Sequence, residues 1–133
     1  MIGVIKSDVG KVRLNNEDAF YFPQKSGEFP ELYIVADGMG GHQGGEIASR
    51  VAVNEVSSYI NSNLPQNCDT QKVKRVLKSS IVKANSKILS LSLNNHELSG
   101  MGTTITIVLL HNGCLLIGHV GDSRAYRIRE DHM

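Results

Sequence analysis

The chain has 133 residues, which is the usual size of a single domain. Its 41% hydrophobic and 20% charged residues are typical of a globular protein and exclude a disordered one. Lys and Arg number 14 against 13 Asp and Glu, and a formal net charge of +1 gives no reason to expect nucleic-acid or membrane binding. Two cysteines are too few for a disulfide framework. With no signal peptide and no long apolar run, the sequence predicts a soluble cytoplasmic protein.

The first forty residues predict short strands joined by polar connections. Residues 2–9 have the pattern of a short strand that leads into a polar stretch. Residues 19–22 form an apolar and aromatic run that a proline ends, and residues 23–30 are typical of a hairpin connection. Residues 32–36 (LYIVA) are almost continuously apolar, which predicts a strand buried on both faces.

Two amphipathic helices are predicted in the middle of the chain. The first follows a glycine cluster, and its apolar residues recur at spacings of three and four: Ala48, Val51, Ala52, Val56, Tyr59 and Ile60. Asp69 or Thr70 can cap the second helix, whose apolar stripe runs from Val73 to Leu91. Most lysines of this helix fall off the stripe and are predicted to face solvent. The polar residues 94–102 predict a loop.

The last third of the chain predicts strands again. Residues 103–110 are β-branched and apolar, and residues 114–120 return as a partner strand after the hairpin signal Asn112-Gly113. A further strand is predicted to begin at residues 125–129. Because strands and helices come in blocks rather than in strict alternation, the pattern favours an α+β fold over a doubly wound parallel sheet.

Acidic residues stand at the ends of these predicted strands. Asp37 directly follows a buried strand, where a carboxylate is costly to desolvate without a partner. Asp122 lies in a Gly-Asp turn after another strand, and Glu17 and Asp18 form a third acidic spot. Carboxylates without a cysteine cluster suit Mg²⁺ or Mn²⁺, whereas the five histidines lack the spacing of zinc ligands. Taken alone, an Asp in a turn is usually a turn former, and a Glu-Asp pair is usually solvated surface.

Two other features leave alternatives open. The glycine cluster does not match a dinucleotide-binding loop, because the third glycine of that motif would fall at Gln43, and the chain has no phosphate-binding Gly-Lys-Ser/Thr. Arg13, four residues before Glu17, has the planar fork that captures phosphate or carboxylate groups. The alternative for Arg13 is an ordinary surface arginine.

Four ordered blocks carry a resemblance to a known family. They are SDVGKVRLNNED (residues 7–18), VADGMGGH (35–42), GMGTT (100–104) and IGHVGDSRAY (117–126). In order and spacing they resemble the bacterial branch of the metal-dependent protein phosphatases of the PP2C type (PPM family), over essentially all 133 residues. The resemblance implies an antiparallel β-sandwich flanked by helix pairs in α-β-β-α layers. This chain would hold one helix pair and about half of the strands.

The resemblance implies a set of metal ligands. Asp37 would bridge two Mn²⁺ or Mg²⁺ ions, and the backbone carbonyl of Gly38 would bind one of them. Glu17 would approach the second ion directly or through water, and Asp18 would hold ion-bound waters. Asp122 resembles the ligand of a third, weaker ion in bacterial members.

The resemblance also implies an activity, which is hydrolysis of phosphoserine and phosphothreonine in proteins by a metal-activated water. Arg13 would clamp the substrate phosphate, and His42 stands where bacterial members keep a histidine near the site. Animal members place their candidate general acid directly after the Asp-Gly, where this chain has Met39. The implied partners are a phosphorylated protein and a cognate Ser/Thr kinase.

Residues 1–133 are expected to be the amino-terminal part of one such domain. The family has two further metal-binding aspartates, in Asp-Gly and Asp-Asn contexts, after the segment that this chain matches. A truncated phosphatase is therefore expected. The alternatives are a half-domain that pairs with another chain, and a catalytically weak, phosphatase-like binding or regulatory module. Uncovered strands would favour self-association.

Overall fold

The computed structural model describes residues 3–25, 27–40 and 43–129. Two strands come first, two long helices follow, and three strands end the described chain. In chain order the elements are β1 (Asp18–Tyr21), β2 (Glu31–Met39), α1 (Gly44–Asn63), α2 (Thr70–Asn94), β3 (Gly102–Thr103), β4 (Ile105–His111) and β5 (Cys114–Val120). This block order is α+β, as the sequence predicts.

The five strands form one antiparallel sheet in the order β1-β2-β4-β5, and β3 pairs with the end of β2. In the centre of the sheet, Ile34 of β2 lies opposite Tyr21 on one side and Ile107 on the other. Asn112 and Gly113 both have positive φ, at 50° and 73°, and close the β4–β5 hairpin as predicted.

Both helices pack on one face of this sheet. Leu32 and Ile34 of β2 point toward them and are fully buried, since alternate residues of a strand share a face. Val56 and Ile60 of α1 and Val73 of α2 meet these side chains in one core. The result is a helix pair on a sheet, which is one half of the layered architecture that the resemblance implies.

The opposite face of the sheet carries apolar side chains without a covering layer among the described residues. Phe20, Val35, Leu115 and Ile117 are between 44% and 55% exposed. Their cross-strand pairing places them on a common face, away from the helices. Large apolar side chains gathered on one face are typical of a surface that packs against another layer.

The second helix begins where the sequence predicts. The Asp69 carboxylate accepts a hydrogen bond from the backbone N–H of Lys72 at 2.6 Å, which satisfies one free donor of the first turn. The first helix has no such side-chain cap and begins at Gly44. In the part of the chain that the structure describes, no helix is long and apolar enough to cross a membrane.

Five details of the sequence prediction are wrong. The strand predicted at residues 32–36 is buried on one face only, because its alternate residue Val35 lies on the uncovered face and is 45% exposed. Residues 3–9 and 123–128 form no regular secondary structure, because no described strand pairs with them and alternation alone does not make a strand. The predicted strand 103–110 is interrupted at Thr104, whose backbone and side chain bond to the end of β2. The predicted loop contains one 3-10 turn, His96–Leu98.

Candidate functional site

Two of the predicted aspartates lie side by side at one end of the sheet. The pairing of β1 with β2 puts Asp18 directly opposite Asp37. Direct cross-strand partners project from the same face, so both carboxylates stand on the exposed side. Like charges in this arrangement repel each other, and a cation between them removes that cost. The strand register therefore gathers negative charge at this end of the sheet.

The backbone of Asp37 is held from the neighbouring segment. Its N–H donates to Thr104 Oγ1 at 3.0 Å, and its carbonyl accepts from the Thr104 N–H at 2.9 Å and from Thr103 Oγ1 at 3.0 Å. Because both backbone groups are engaged, the carboxylate is the part of Asp37 left for chemistry in the cavity that it lines.

Glu17 is held beside the start of α1. Its carbonyl accepts from the Gly38 N–H at 3.1 Å. Its carboxylate lies so close to Gly45 that a Cβ there would come within 2.5 Å of Oε2. Gly38 has no room for a side chain either, since the Gly45 backbone fills the space. The two glycines let β2, Glu17 and the positive end of the α1 dipole meet.

The segment before β1 folds onto the same end through a polar network. Ser7 Oγ donates to Asp18 Oδ2 at 2.7 Å and accepts from Asn16 Nδ2 at 2.8 Å. Asn16 Oδ1 in turn accepts from the Asp18 N–H at 3.0 Å. These bonds hold Ser7 and Asn16 beside Asp18, and Arg13 of the intervening segment lines the cavity.

The turn after β5 reaches the site from the other side. Gly121 has φ +109°, a conformation that L side chains rarely adopt, and a Cβ there would lie 2.7 Å from Thr104 Cγ2. The next residue but one, Ser123, has its Oγ 2.8 Å from Thr104 Oγ1. These contacts hold Asp122 against the end of the sheet.

One open cavity of about 540 Å³ collects most of the predicted site residues: Arg13, Glu17, Asp18, Asp37, Gly38 and Asp122. Within the described ranges, no carboxylate lies within 4 Å of the Arg13 guanidinium, which leaves its fork open to an anion. Asp8 adds a further carboxylate to the lining. His42 lies outside the described residues, so its role stays a prediction.

The lining has the chemistry of a hard-cation site. Carboxylate and carbonyl oxygens are the donors that Mg²⁺ and Mn²⁺ prefer. Among the described residues, no group of three or more His, Cys, Asp or Glu side chains is arranged to hold an ion by itself. Mg²⁺ commonly keeps several waters and uses only one or two protein carboxylates. The paired Asp18 and Asp37 therefore suit a cation that retains part of its hydration.

Three residues of the site have no function assigned from the sequence: Ser7, Thr104 and Ser123. All three lie within the four blocks that carry the resemblance, so the sequence motifs include their positions. Their partners are not readable from spacing, because Thr104 bonds to residues 67 positions before it and 19 positions after it.

The family model described as Protein phosphatase 2C matches residues 10–133. The chain belongs to the protein phosphatase 2C family. This match confirms the resemblance carried by the four blocks, and it covers the acidic strand ends as well as both helices of the PP2C chain.

Curated relatives of this PP2C chain are named as phosphatases. The serine/threonine phosphatase stp of Listeria innocua is 32% identical over 128 residues, which cover 96% of this chain and 50% of the relative. The serine/threonine protein phosphatase PstP of Mycobacterium tuberculosis is 34% identical over 96% of this chain and 23% of its own length. The chain thus spans about half the length, or less, of the relatives it matches.

Solved structures match the PP2C fold described above. Serine/threonine phosphatase Stp1 from Staphylococcus aureus superposes with a TM-score of 0.76 at 33% identity, over 92% of this chain and 47% of that one. The catalytic domain of PstP in complex with two manganese ions gives a TM-score of 0.73 at 35% identity, over 90% and 47%. One sheet and one helix pair are therefore the part of the fold that this PP2C chain shares with both.

Proposed function

We propose that this chain is the amino-terminal part of a PP2C domain that hydrolyses phosphoserine and phosphothreonine in proteins with a divalent metal cofactor. The observation that carries the proposal is the convergence of four predicted carboxylates and the free fork of Arg13 on one open cavity. The names of the relatives supply the substrate class. The partners would be phosphorylated proteins and the Ser/Thr kinase that modifies them, and the predicted cytoplasmic location and self-association stay predictions.

The chain's oxygen donors would hold two Mn²⁺ or Mg²⁺ ions. Asp37 would bridge them, the Gly38 carbonyl and Glu17 would each bind one, and Asp18 would orient coordinated water. Asp122 would serve a third, weaker ion. When bound, such ions lower the pKa of water and neutralise negative charge that develops on phosphate oxygens. Support comes from the manganese-bound PstP structure and from the cross-strand pairing of Asp18 with Asp37.

Arg13 would bind the phosphoryl group of the substrate. Its guanidinium presents parallel N–H donors that match two phosphate oxygens, and no described carboxylate competes for them. A phosphate bound there would lie beside the acidic cluster in the same cavity. Arg13 thus offsets the repulsion that the carboxylates alone would impose on a phosphoester.

Water is the proposed nucleophile. The described lining of the cavity contains no serine, cysteine or histidine, and the hydroxyl of Thr104 already receives the Asp37 N–H. Ser7 occupies one carboxylate oxygen of Asp18, and the other remains to accept a hydrogen bond from water. In-line attack with charge neutralisation meets the main demands of phosphoryl transfer without a covalent intermediate. His42 is the proposed general acid that protonates the leaving serine or threonine oxygen.

The decisive experiment is phosphate release from a phosphothreonine peptide by the protein expressed from its complete reading frame. We expect Mn²⁺-dependent turnover that a chelator abolishes and added Mn²⁺ restores. Asp37→Asn keeps the size of the side chain but removes the charge, and should lower kcat/KM by at least about 100-fold. Glu55→Gln is the matched control, since Glu55 pairs with Lys83 on the helices.

Two results would contradict the proposal. If Asp37→Asn leaves turnover unchanged, the acidic cluster takes no part in the reaction. Peptide binding without hydrolysis at any Mn²⁺ concentration would favour the alternative of a phosphatase-like regulatory module.

A further inference from the structure

One buried threonine, Thr104, contacts both the strand that carries Asp37 and the turn that carries Asp122. Thr104 is 7% exposed, and its Oγ1 accepts the Asp37 N–H at 3.0 Å. The same oxygen lies 2.8 Å from Ser123 Oγ, and Ser123 directly follows Asp122. One hydroxyl group therefore stands between the backbone of Asp37 and the neighbour of Asp122.

The topology places one strand between the two acidic segments. Asp37 lies on β2 and Asp122 follows β5, and these two strands are not neighbours because β4 runs between them. Thr104 lies just before β4, at the end of the sheet where both acids stand. Thr104 contacts the end of β2 through the Asp37 N–H and the turn after β5 through Ser123, so it links the two segments that carry these carboxylates.

The methyl group of Thr104 makes a packing contact in addition to the hydrogen bonds of its hydroxyl. A Cβ on Gly121 would lie 2.7 Å from Thr104 Cγ2 and 2.8 Å from its Cβ, so the glycine packs directly on this side chain. The hydroxyl bonds to Asp37 and Ser123, and the methyl supports the turn. Serine would lack the methyl, and valine would lack the hydroxyl.

We infer that Thr104 is a positioning residue that holds Asp37 and Asp122 in one metal-binding cavity, an inference that rests on the proposed function. It would act through hydrogen bonds to the backbone and to Ser123, without touching metal or substrate. Groups that orient metal ligands typically change metal affinity when removed, even though they do not bind the ion.

The test compares three variants by Mn²⁺ titration, with electron paramagnetic resonance reporting free and bound ion. Thr104→Val keeps the shape and should weaken Mn²⁺ binding by about 10- to 100-fold. Thr104→Ser keeps the hydroxyl and should restore most of the affinity. Thr106→Val is the matched control, because Thr106 is equally buried nearby on β4 but bonds to His119 instead. It should bind Mn²⁺ as the unaltered protein does.

A metal-free measurement separates this inference from the proposed function. In the apoprotein, amide NMR should show faster exchange of the Asp37 N–H and shifted Asp122 and Ser123 signals in Thr104→Val, with no such change in Thr106→Val. If the unaltered protein binds no Mn²⁺, the proposed function fails, and these amide signals still decide the role of Thr104.

Two outcomes would overturn the inference. Unchanged amide signals in Thr104→Val would show that Thr104 does not couple the end of β2 to the turn after β5. Equal loss of Mn²⁺ affinity in Thr104→Val and Thr106→Val would show that any buried threonine of this region acts only through general stability.

Discussion

Gly45→Ala separates the geometry of the site from the stability of the fold. Gly45 is the second residue of α1, and an added Cβ would lie 2.5 Å from Glu17 Oε2 and 2.7 Å from Glu17 Cδ. Ordinary contact begins at 3.4 Å, so the carboxylate oxygen must move by about 0.9 Å. Because it is the end of a flexible side chain, it can move without unfolding the protein.

The two expected effects of this substitution differ in size. Alanine in place of glycine in a helix adds up to about 1 kcal/mol of stability. The new Cβ would also lie 3.0 Å from the Gly38 carbonyl carbon, and this tight backbone contact offsets part of that gain. The free energy of unfolding should therefore stay within about 1 kcal/mol of the original value. A metal ligand displaced by nearly 1 Å should cost about 10- to 100-fold in Mn²⁺ affinity.

Urea unfolding of the metal-free protein measures the first effect, and Mn²⁺ titration measures the second. Gly44→Ala is the adjacent control, since a Cβ there would meet the Met101 side chain at 3.1 Å and no site carboxylate. Glu17→Gln gives the reference loss of Mn²⁺ affinity, because it removes the charge of this carboxylate without moving the backbone.

Unaltered Mn²⁺ affinity in Gly45→Ala, together with reduced affinity in Glu17→Gln, would refute the reasoning that Gly45 positions this carboxylate. A loss of stability above about 3 kcal/mol would refute it differently, by showing that the Gly38 contact governs the outcome.

Two further predictions concern the substrate clamp and a helix cap. Arg13→Lys keeps the charge but loses the planar fork, so kcat/KM for a phosphothreonine peptide should fall by about 10- to 100-fold with Mn²⁺ affinity unchanged; equal loss of both in parallel titrations would make Arg13 structural. Asp69→Ala removes the acceptor of the 2.6 Å bond from the Lys72 N–H, and urea unfolding should show a loss of about 0.5–2 kcal/mol. An unaltered unfolding midpoint would mean that the cap is dispensable.

Much of the fold could be predicted because its signals are local. The two helices predicted from apolar spacing, the strand at residues 32–36 and the Asn112-Gly113 turn each appear in the structure, although that strand is buried on one face and not on both. The wrong predictions concern segments whose conformation depends on a partner that is distant in the sequence. Residues 3–9 have a strand-like pattern but no described neighbour, and Thr104 leaves the ladder to bond with Asp37.

Part of the candidate site could also be predicted from the sequence. Asp37 and Asp122 attract attention because a carboxylate at a strand end is costly without a partner, and the four blocks name Glu17 and Asp18 as well. The roles of Ser7 and of Thr104, just before β4, could not be predicted. Each depends on hydrogen bonds between residues far apart in sequence.

The sequence by itself determined the α+β class, the two helices, the family and the identity of most acidic groups, because periodicity and motif order are properties of neighbouring residues. Only the tertiary structure decided that Asp18 lies opposite Asp37 across a strand pair and that Gly38 and Gly45 leave room for Glu17. It also decided that the turn containing Asp122 contacts Thr104 at the same end of the sheet. Strand register, close backbone approach and long-range hydrogen bonds arise when distant segments pack, and no local pattern encodes them.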